Sequence, residues 1–223
     1  MNEFKASIIA TFNSYKCKNQ SDELKLIPIY DKNDLIGFLK PVTFHYKLIS
    51  PEYISLFSQW RRENPVGFAT IFEITDQRTE FWLDKILLDR DDRILFVVHS
   101  LKGEPLGHLG YSSFNFEEKS CEIDNVVRGV KIGYDGIMAN AMKSIILWGQ
   151  EILKLNNIYL RVLSDNLHAI NFYERNGFKK QFDIPLYKVI QNDEIKWVET
   201  KSFENENPDR YFTSMKLSEN KMK

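Results

Sequence analysis

Residues 164–178 read Ser164-Asp165-Asn166-Leu167-His168-Ala169-Ile170-Asn171-Phe172-Tyr173-Glu174-Arg175-Asn176-Gly177-Phe178. This is a short capped helix with an abrupt stop. Ser164, Asp165 and Asn166 each suit an N-cap, because a short side-chain oxygen can accept from the free N–H groups of a first turn. Gly177 stands where a left-handed helix stop favours glycine, and Phe178 follows as the apolar contact of that stop. Asn166, Ala169, Ile170 and Tyr173 fall at helical spacing. One face therefore joins an amide and a phenol to small and apolar groups.

Working outward, residues 157–163 form a strand that delivers the chain to this helix. A long helix precedes it, from Asp135 to about Lys154, with Ile137, Ala141, Ile145, Trp148 and Ile152 on one face. Strands are predicted at 93–98, 106–116 and 121–127. Helices are predicted from Ser50-Pro51-Glu52 to about Glu63 and over 76–89, the latter with Phe81, Ile86 and Leu88 among its apolar residues. Residues 24–30 and 35–39 flank a turn and form a hairpin, with Pro28 pointing to an edge strand. Residues 1–23 are mixed in character and carry no assigned element. After Phe178, strands are expected near 182–190, 195–199 and 211–217. Residues 204–208 read as a polar loop and 221–223 as a frayed tail. Meandering strands followed by strand–helix–strand–helix predict an α/β (mixed α+β) fold, with helices on both faces of a mixed sheet.

The composition is that of an ordinary soluble globular protein, with 43% hydrophobic and 27% charged residues among 223. A net charge of -1 argues against a general nucleic-acid binder. No apolar run is long enough to span a bilayer, and the N-terminus lacks a signal-peptide layout. Cys17 and Cys121 have neither metal-site nor disulfide spacing, so both read as free thiols, and no metal is expected. A cytoplasmic location follows from these readings.

The pattern Asn166-x-x-Ala169-x-x-x-Tyr173-Glu174-x-x-Gly177-Phe178 resembles the closing motif of the GNAT family of N-acetyltransferases. The order of elements resembles that fold across residues 43–217. Residues 1–42 stand outside it as an extension with a β-hairpin, and 218–223 as a tail. The resemblance implies acetyl-CoA as co-substrate. The family's pyrophosphate loop follows Arg/Gln-x-x-Gly-x-Gly/Ala. Here the corresponding segment is Lys131-Ile132-Gly133-Tyr134-Asp135-Gly136, in which Tyr134 replaces the middle glycine. Asp135 reads as an N-cap that competes with phosphate for the same N–H groups. The resemblance also implies that Asn166 contacts the pantetheine arm, beside Ala169 and Phe172. Tyr173 would protonate the departing thiolate, and a backbone N–H near Val126 or Val127 would stabilise the oxyanion.

An ammonium has no lone pair, so acetyl transfer to an amine needs a base. Glu122 and Asp124 are two apart on the strand before the loop and so share a face. Glu122 is the expected base, with Asp124 as substitute or acceptor ligand; His108 and His168 are further titratable candidates. Trp60, Arg61, Arg62, Phe68, Phe72, Arg78 and Trp82 suit a phosphorylated or sugar-bearing acceptor. The chain, including the hairpin before this region, resembles bacterial acetyltransferases acting on amino sugars of surface polysaccharides, and that resemblance implies an amino sugar or nucleotide-linked amino sugar as acceptor. The alternatives are a protein or peptide amine, or a non-catalytic acyl-CoA-binding module. The outer strands leave room for pairing across a homodimer.

Overall fold

The computed structural model describes residues 2–19, 21–200 and 207–218. The helices are α1 (Glu3–Tyr15), α2 (Tyr46–Ile49), α3 (Tyr53–Glu63), α4 (Asp76–Phe81), α5 (Ile137–Glu151) and α6 (Leu167–Arg175). A π-helical turn, Trp82–Leu88, continues α4. The strands are β1 (Ile27–Asp31), β2 (Asp34–Pro41), β3 (Thr70–Ile71), β4 (Ile94–Ser100), β5 (Pro105–Asn115), β6 (Ser120–Arg128), β7 (Asn157–Leu163), β8 (Phe178–Gln191), β9 (Glu194–Val198) and β10 (Arg210–Leu217). Most of the expected 204–208 loop and the whole 221–223 tail lie outside the described residues.

The strands form one sheet in the order β1-β2-β4-β5-β6-β7-β10-β8-β9-β3. Every pairing is antiparallel except β6 with β7. Strand β4 shows why helices cover both faces. All seven of its residues are buried. Ile94, Phe96 and Val98 enter a core shared with α1, α5 and α6, whereas Leu95 and Val97 enter a second core under α2, α3 and the π-turn. A strand covered on both sides reads as a continuous apolar run rather than an alternating one. The 27–41 hairpin extends this same sheet through β2 on β4, and β1 is an edge, as Pro28 suggested.

Three local expectations needed correction. The 76–89 helix exists, but its second half is π-helical and it buries Leu83, Leu87 and Leu88, leaving Phe81 exposed. Ile152 lies beyond the end of α5 and is half exposed. Residues 3–15, given no element from sequence, form α1, capped by the Asn2 side chain on the Phe4 N–H.

Helix α1 is held by aromatic packing and by one buried cation. Phe12 stacks on Trp148, and the Trp148 indole N–H donates to the Tyr15 hydroxyl at 2.9 Å. Lys16, 1% exposed, donates from Nζ to the carbonyls of Leu87 (2.9 Å), Leu88 (3.3 Å) and Arg90 (2.6 Å). These close the end of the π-turn, whose last carbonyls have no helical partner. Replacing Lys16 by Met strands these acceptors and is expected to cost about 2–3 kcal/mol in urea unfolding. Burial pushes the Lys16 pKa down from 10.5 to about 8, against the pull of Asp91 and Asp92. Between those values the unfolded chain binds more protons than the folded one, so this residue's contribution to stability rises with pH. The Met variant should lack that rise. An identical pH slope in parent and variant would rule it out.

Candidate active site

Strands β6 and β7 pair in parallel only at Ser120–Asn157, Cys121–Ile158 and Glu122–Tyr159. Beyond Glu122 they part, although β6 runs on to Arg128 and β7 to Leu163. A wedge opens at the carboxyl ends of two parallel strands, the place where α/β sheets bind ligands. Its local cause is a bulge. Asn125 adopts φ +53°, and the β5–β6 register shifts between His108 and Gly110. Cys121 and Ile123 enter the first core before the bulge; after it Val126 packs on that core and Val127 enters the second. The Gly129 N–H donates to Leu106 O at 2.9 Å, and Val127 faces His108 across the β5 ladder. Strand alternation then directs the Val126 N–H to the opposite edge, toward β7.

The two carboxylates of β6 have different partners. Glu122 is clamped by Arg161, whose Nε lies 2.9 Å from Oε1 and Nη2 3.0 Å from Oε2; Arg161 also bonds Glu199. Asp124 accepts from the Asn125 N–H at 2.6 Å and from Ser112 Oγ at 3.0 Å, with Arg93 Nη1 at 3.5 Å. The Tyr173 ring is buried, edge-on to Phe172 and Phe178. Burial first, and the charge of Asp124 second, raise its hydroxyl pKa above the ordinary value. Among the described residues nothing hydrogen-bonds that hydroxyl. The charge of Asp124 thus reaches Tyr173, whereas Glu122 is tied toward β7.

His108 is buried against Phe57 and Trp60, at 4.8 and 5.8 Å between ring centroids. Its Nδ1–H donates to Asn125 O at 2.6 Å. Burial lowers its pKa to about 4, against the opposing pull of that carbonyl and of Asp124. The ring is therefore neutral at neutral pH. His168 is exposed in the first turn of α6.

The loop before α5 departs from its sequence reading. Gly136 (φ +78°), not Asp135, stands at the N-cap, and no side chain caps α5. The Asp135 carboxylate is fully exposed, 3.9 Å from Arg128. Arg128 donates to Val130 O (3.0 Å), Lys131 O (3.2 Å) and Gly133 O (3.1 Å). A trans peptide sets its C=O and N–H in opposite directions, so drawing these carbonyls inward turns the N–H groups of Lys131, Ile132 and Tyr134 outward. Among the described residues, no acceptor meets the N–H groups of residues 131–136. Tyr134 takes a positive φ (+53°) and its hydroxyl donates to Glu104, which holds the ring to the β4–β5 turn. Free amides, Lys131 and an uncapped helix start suit a pyrophosphate. These residues fit acetyl-CoA despite the irregular spacing.

On the other side of the wedge, Asn166 is the N-cap of α6, with Oδ1 accepting from the Ala169 N–H at 3.2 Å. Asp165 pairs instead with Arg210 at 2.7 Å. Ala169 and Phe172 are partly buried against the first core. Gly177 takes φ +90° and Phe178 is buried, as a left-handed stop requires.

The arginine–aromatic cluster is engaged with the protein's own groups, although Arg62 and Arg78 remain exposed. Arg61 lies over Phe68 (4.0 Å) and Phe72 (4.7 Å) and donates to Thr70 O; Arg62 donates to Ile74 O. Arg78 lies over Phe72 and pairs with Glu194 at 2.8 Å. Trp60 is buried flat on Gly129, where an added Cβ would fall 2.0 Å from its ring. The cluster pins the connection after α3 onto β9. Conversely, Arg93, Ser112, Asn125 and Arg128 were given no site role from sequence: the first two reach Asp124 from other parts of the sheet, and the backbone turns that aim Asn125 and Arg128 at near neighbours carry no motif of their own.

Among the described residues no helix is long and apolar enough to cross a membrane, and no group of His, Cys, Asp and Glu is placed to hold a metal. No curated protein matches the chain. Solved structures do. A point mutant of spermidine N-acetyltransferase SpeG from Vibrio cholerae aligns with TM-score 0.56 and 15% identity over 80% of this chain and 93% of that one. The same enzyme in complex with manganese ions aligns with TM-score 0.54 and 14% identity over 82% and 92%. Its dodecameric form in an intermediate state aligns with TM-score 0.52 and 15% identity over 74% and 86%. At such identity the likeness is one of fold. Residues 55–178 match the acetyltransferase (GNAT) family, so wedge, loop and capped helix all fall within the matched span, and the chain belongs to that family of acetyl-CoA-dependent N-acetyltransferases.

Proposed function

We propose that the chain acetylates the primary amine of a small molecule by direct attack within a ternary complex. The observation that carries this is the unpaired wedge between β6 and β7, with Asp124 and the unpartnered Tyr173 hydroxyl close enough for the charge of one to act on the other. Acetyl-CoA supplies an activated thioester. Lys131 and the backbone of Ile132, Gly133, Tyr134, Asp135 and Gly136 would hold its pyrophosphate. Asn166, Ala169 and Phe172 would border its pantetheine arm. The Val126 N–H is the donor available to the acyl oxygen as charge develops there, in preference to that of Val127, which faces β5. Asp124 takes a proton from the acceptor ammonium, and Tyr173 gives one to the departing sulfur. Glu122, engaged by Arg161, orders the strand beside them.

Amino sugars and polyamines head the acceptor panel. The first rest on the sequence resemblance. The second are acceptors of the structurally similar enzymes, and the engaged Arg61, Arg62 and Arg78 remove one argument for a phosphorylated ligand. The test is calorimetry with acetyl-CoA, followed by thiol release over nucleotide-linked amino sugars, free amino sugars, polyamines and peptides. Binding and turnover of a small amine are expected, and Arg128→Ala should weaken CoA binding about tenfold by releasing the loop carbonyls. Absence of binding sinks the assignment. Turnover of peptides alone moves the acceptor to protein amines, and binding without any turnover favours a non-catalytic acyl-CoA module.

A further inference from the structure

We propose that Ser112 is a positioning residue that, with Arg93 and the Asn125 bulge, aims the Asp124 carboxylate into the wedge. The inference rests on Asp124 as the base. The three donors come from separate parts of the sheet. Ser112 lies on β5, 2% exposed, and its Oγ meets Oδ2 at 3.0 Å. Arg93 stands just before β4 and brings Nη1 to 3.5 Å from the same oxygen. The Asn125 N–H meets Oδ1 at 2.6 Å.

The bulge makes this arrangement. In a regular strand the N–H of the next residue points across the ladder and cannot return to its neighbour's side chain. The positive φ of Asn125 breaks that alternation, so its N–H donates to Asp124 while its carbonyl accepts from His108 Nδ1. One unusual backbone residue therefore fixes a carboxylate and a histidine together. The Asp124 side chain retains 40% exposure, so an incoming ammonium can still reach it. Both carboxylate oxygens have a donor, which restricts the direction of the remaining lone pairs.

Arg93 contributes charge as well as orientation. Its Nε is buried without a partner among the described residues, which leaves the guanidinium underused except at Asp124. Other charged or titratable groups facing Asp124 are few. His108 on β5 is neutral near pH 7, Tyr173 on α6 is a protonated phenol, Glu122 lies two residues away on β6, and Arg161 on β7 is taken up by Glu122 and Glu199.

The test compares Ser112→Ala, Ser112→Thr and Arg93→Gln, each by the pH profile of kcat/KM with the best acceptor and by KM for acetyl-CoA. A donor to a carboxylate favours its charged form, so removing the donor raises the pH at which the base is lost. Ser112→Ala should therefore move the acidic limb to higher pH and lower kcat about tenfold, with KM for acetyl-CoA unchanged. Ser112→Thr restores the hydroxyl and should restore both. Arg93→Gln should move the limb the same way. The proposal is overturned if the limb stays in place in Ser112→Ala, or if Ser112→Thr behaves like Ser112→Ala. Should Asp124→Asn retain parental activity, the base assignment itself fails, which a null result at Ser112 alone does not bring about.

Discussion

Asp124→Asn lowers kcat/KM for the acceptor amine by about 10²–10⁴-fold, the range general-base removal typically costs. The amide keeps the shape: its one oxygen still accepts from the Asn125 N–H, and its NH2 can donate to the Ser112 hydroxyl oxygen in place of accepting from it, so the loss reports proton transfer and not collapse of the bulge. Calorimetric affinity for CoA should be unchanged, because the groups assigned to the pyrophosphate lie in the loop after β6. The parent profile should fall on the acid side, where both base and acceptor carry protons. In the variant the remaining rate should follow only the deprotonation of the amine. Glu122→Gln is the companion measurement. Its carboxylate is paired with Arg161, so a loss within about threefold is expected, as for a partly exposed ion pair of modest strength. A larger loss in Glu122→Gln than in Asp124→Asn would exchange the two roles.

What could be read from the chain before its fold depended on how far the signal travels. The helix from 167 to 175 was legible because cap, face and stop are written within fifteen consecutive residues. Strands 93–98, 106–116, 121–127 and 157–163 were legible because strand-forming stretches bounded by turns are local too. The α1 helix was not, since Phe4, Ile8 and Phe12 sit among Ser, Thr and Asn residues, and its stability comes from Trp148 and Lys16 contacts made far along the chain. The π-turn was read as ordinary helix because composition does not distinguish the two. In the site, the alternation of Glu122 and Asp124 was visible, but their unlike partners were not. Arg161, Ser112 and Arg93 arrive through pairings between strands. The same holds for the loop: its spacing looked degenerate, yet Arg128 rebuilds its amide surface by hydrogen bonds that no spacing rule encodes. For Arg61 and Arg78 the composition alone did not decide, since cation–aromatic contact serves packing within the chain as readily as ligand binding.

Tyr173→Phe should lower kcat about 10²-fold with little change in the affinity for acetyl-CoA. The substitution removes a single oxygen. The ring keeps its edge contacts with Phe172 and Phe178, at 5.5 and 6.2 Å between centroids, and no described residue loses a hydrogen bond. Stability should therefore stay within about 0.5 kcal/mol of the parent in urea unfolding, as for other changes that open no cavity and strand no polar group. That makes the kinetic loss specific. Burial and the nearby Asp124 charge both oppose the phenolate, so the proton is retained above the usual tyrosine range. The parent kcat should then show no alkaline limb at the ordinary tyrosine pKa, since the acid is still protonated there. The step that suffers is departure of the thiolate, so the deficit should shrink with acetyl donors whose thiols are more acidic and need no proton. If kcat in Tyr173→Phe is unchanged for acetyl-CoA, or the deficit is equal for every thiol, the hydroxyl is not the acid and the wedge receives its proton from water.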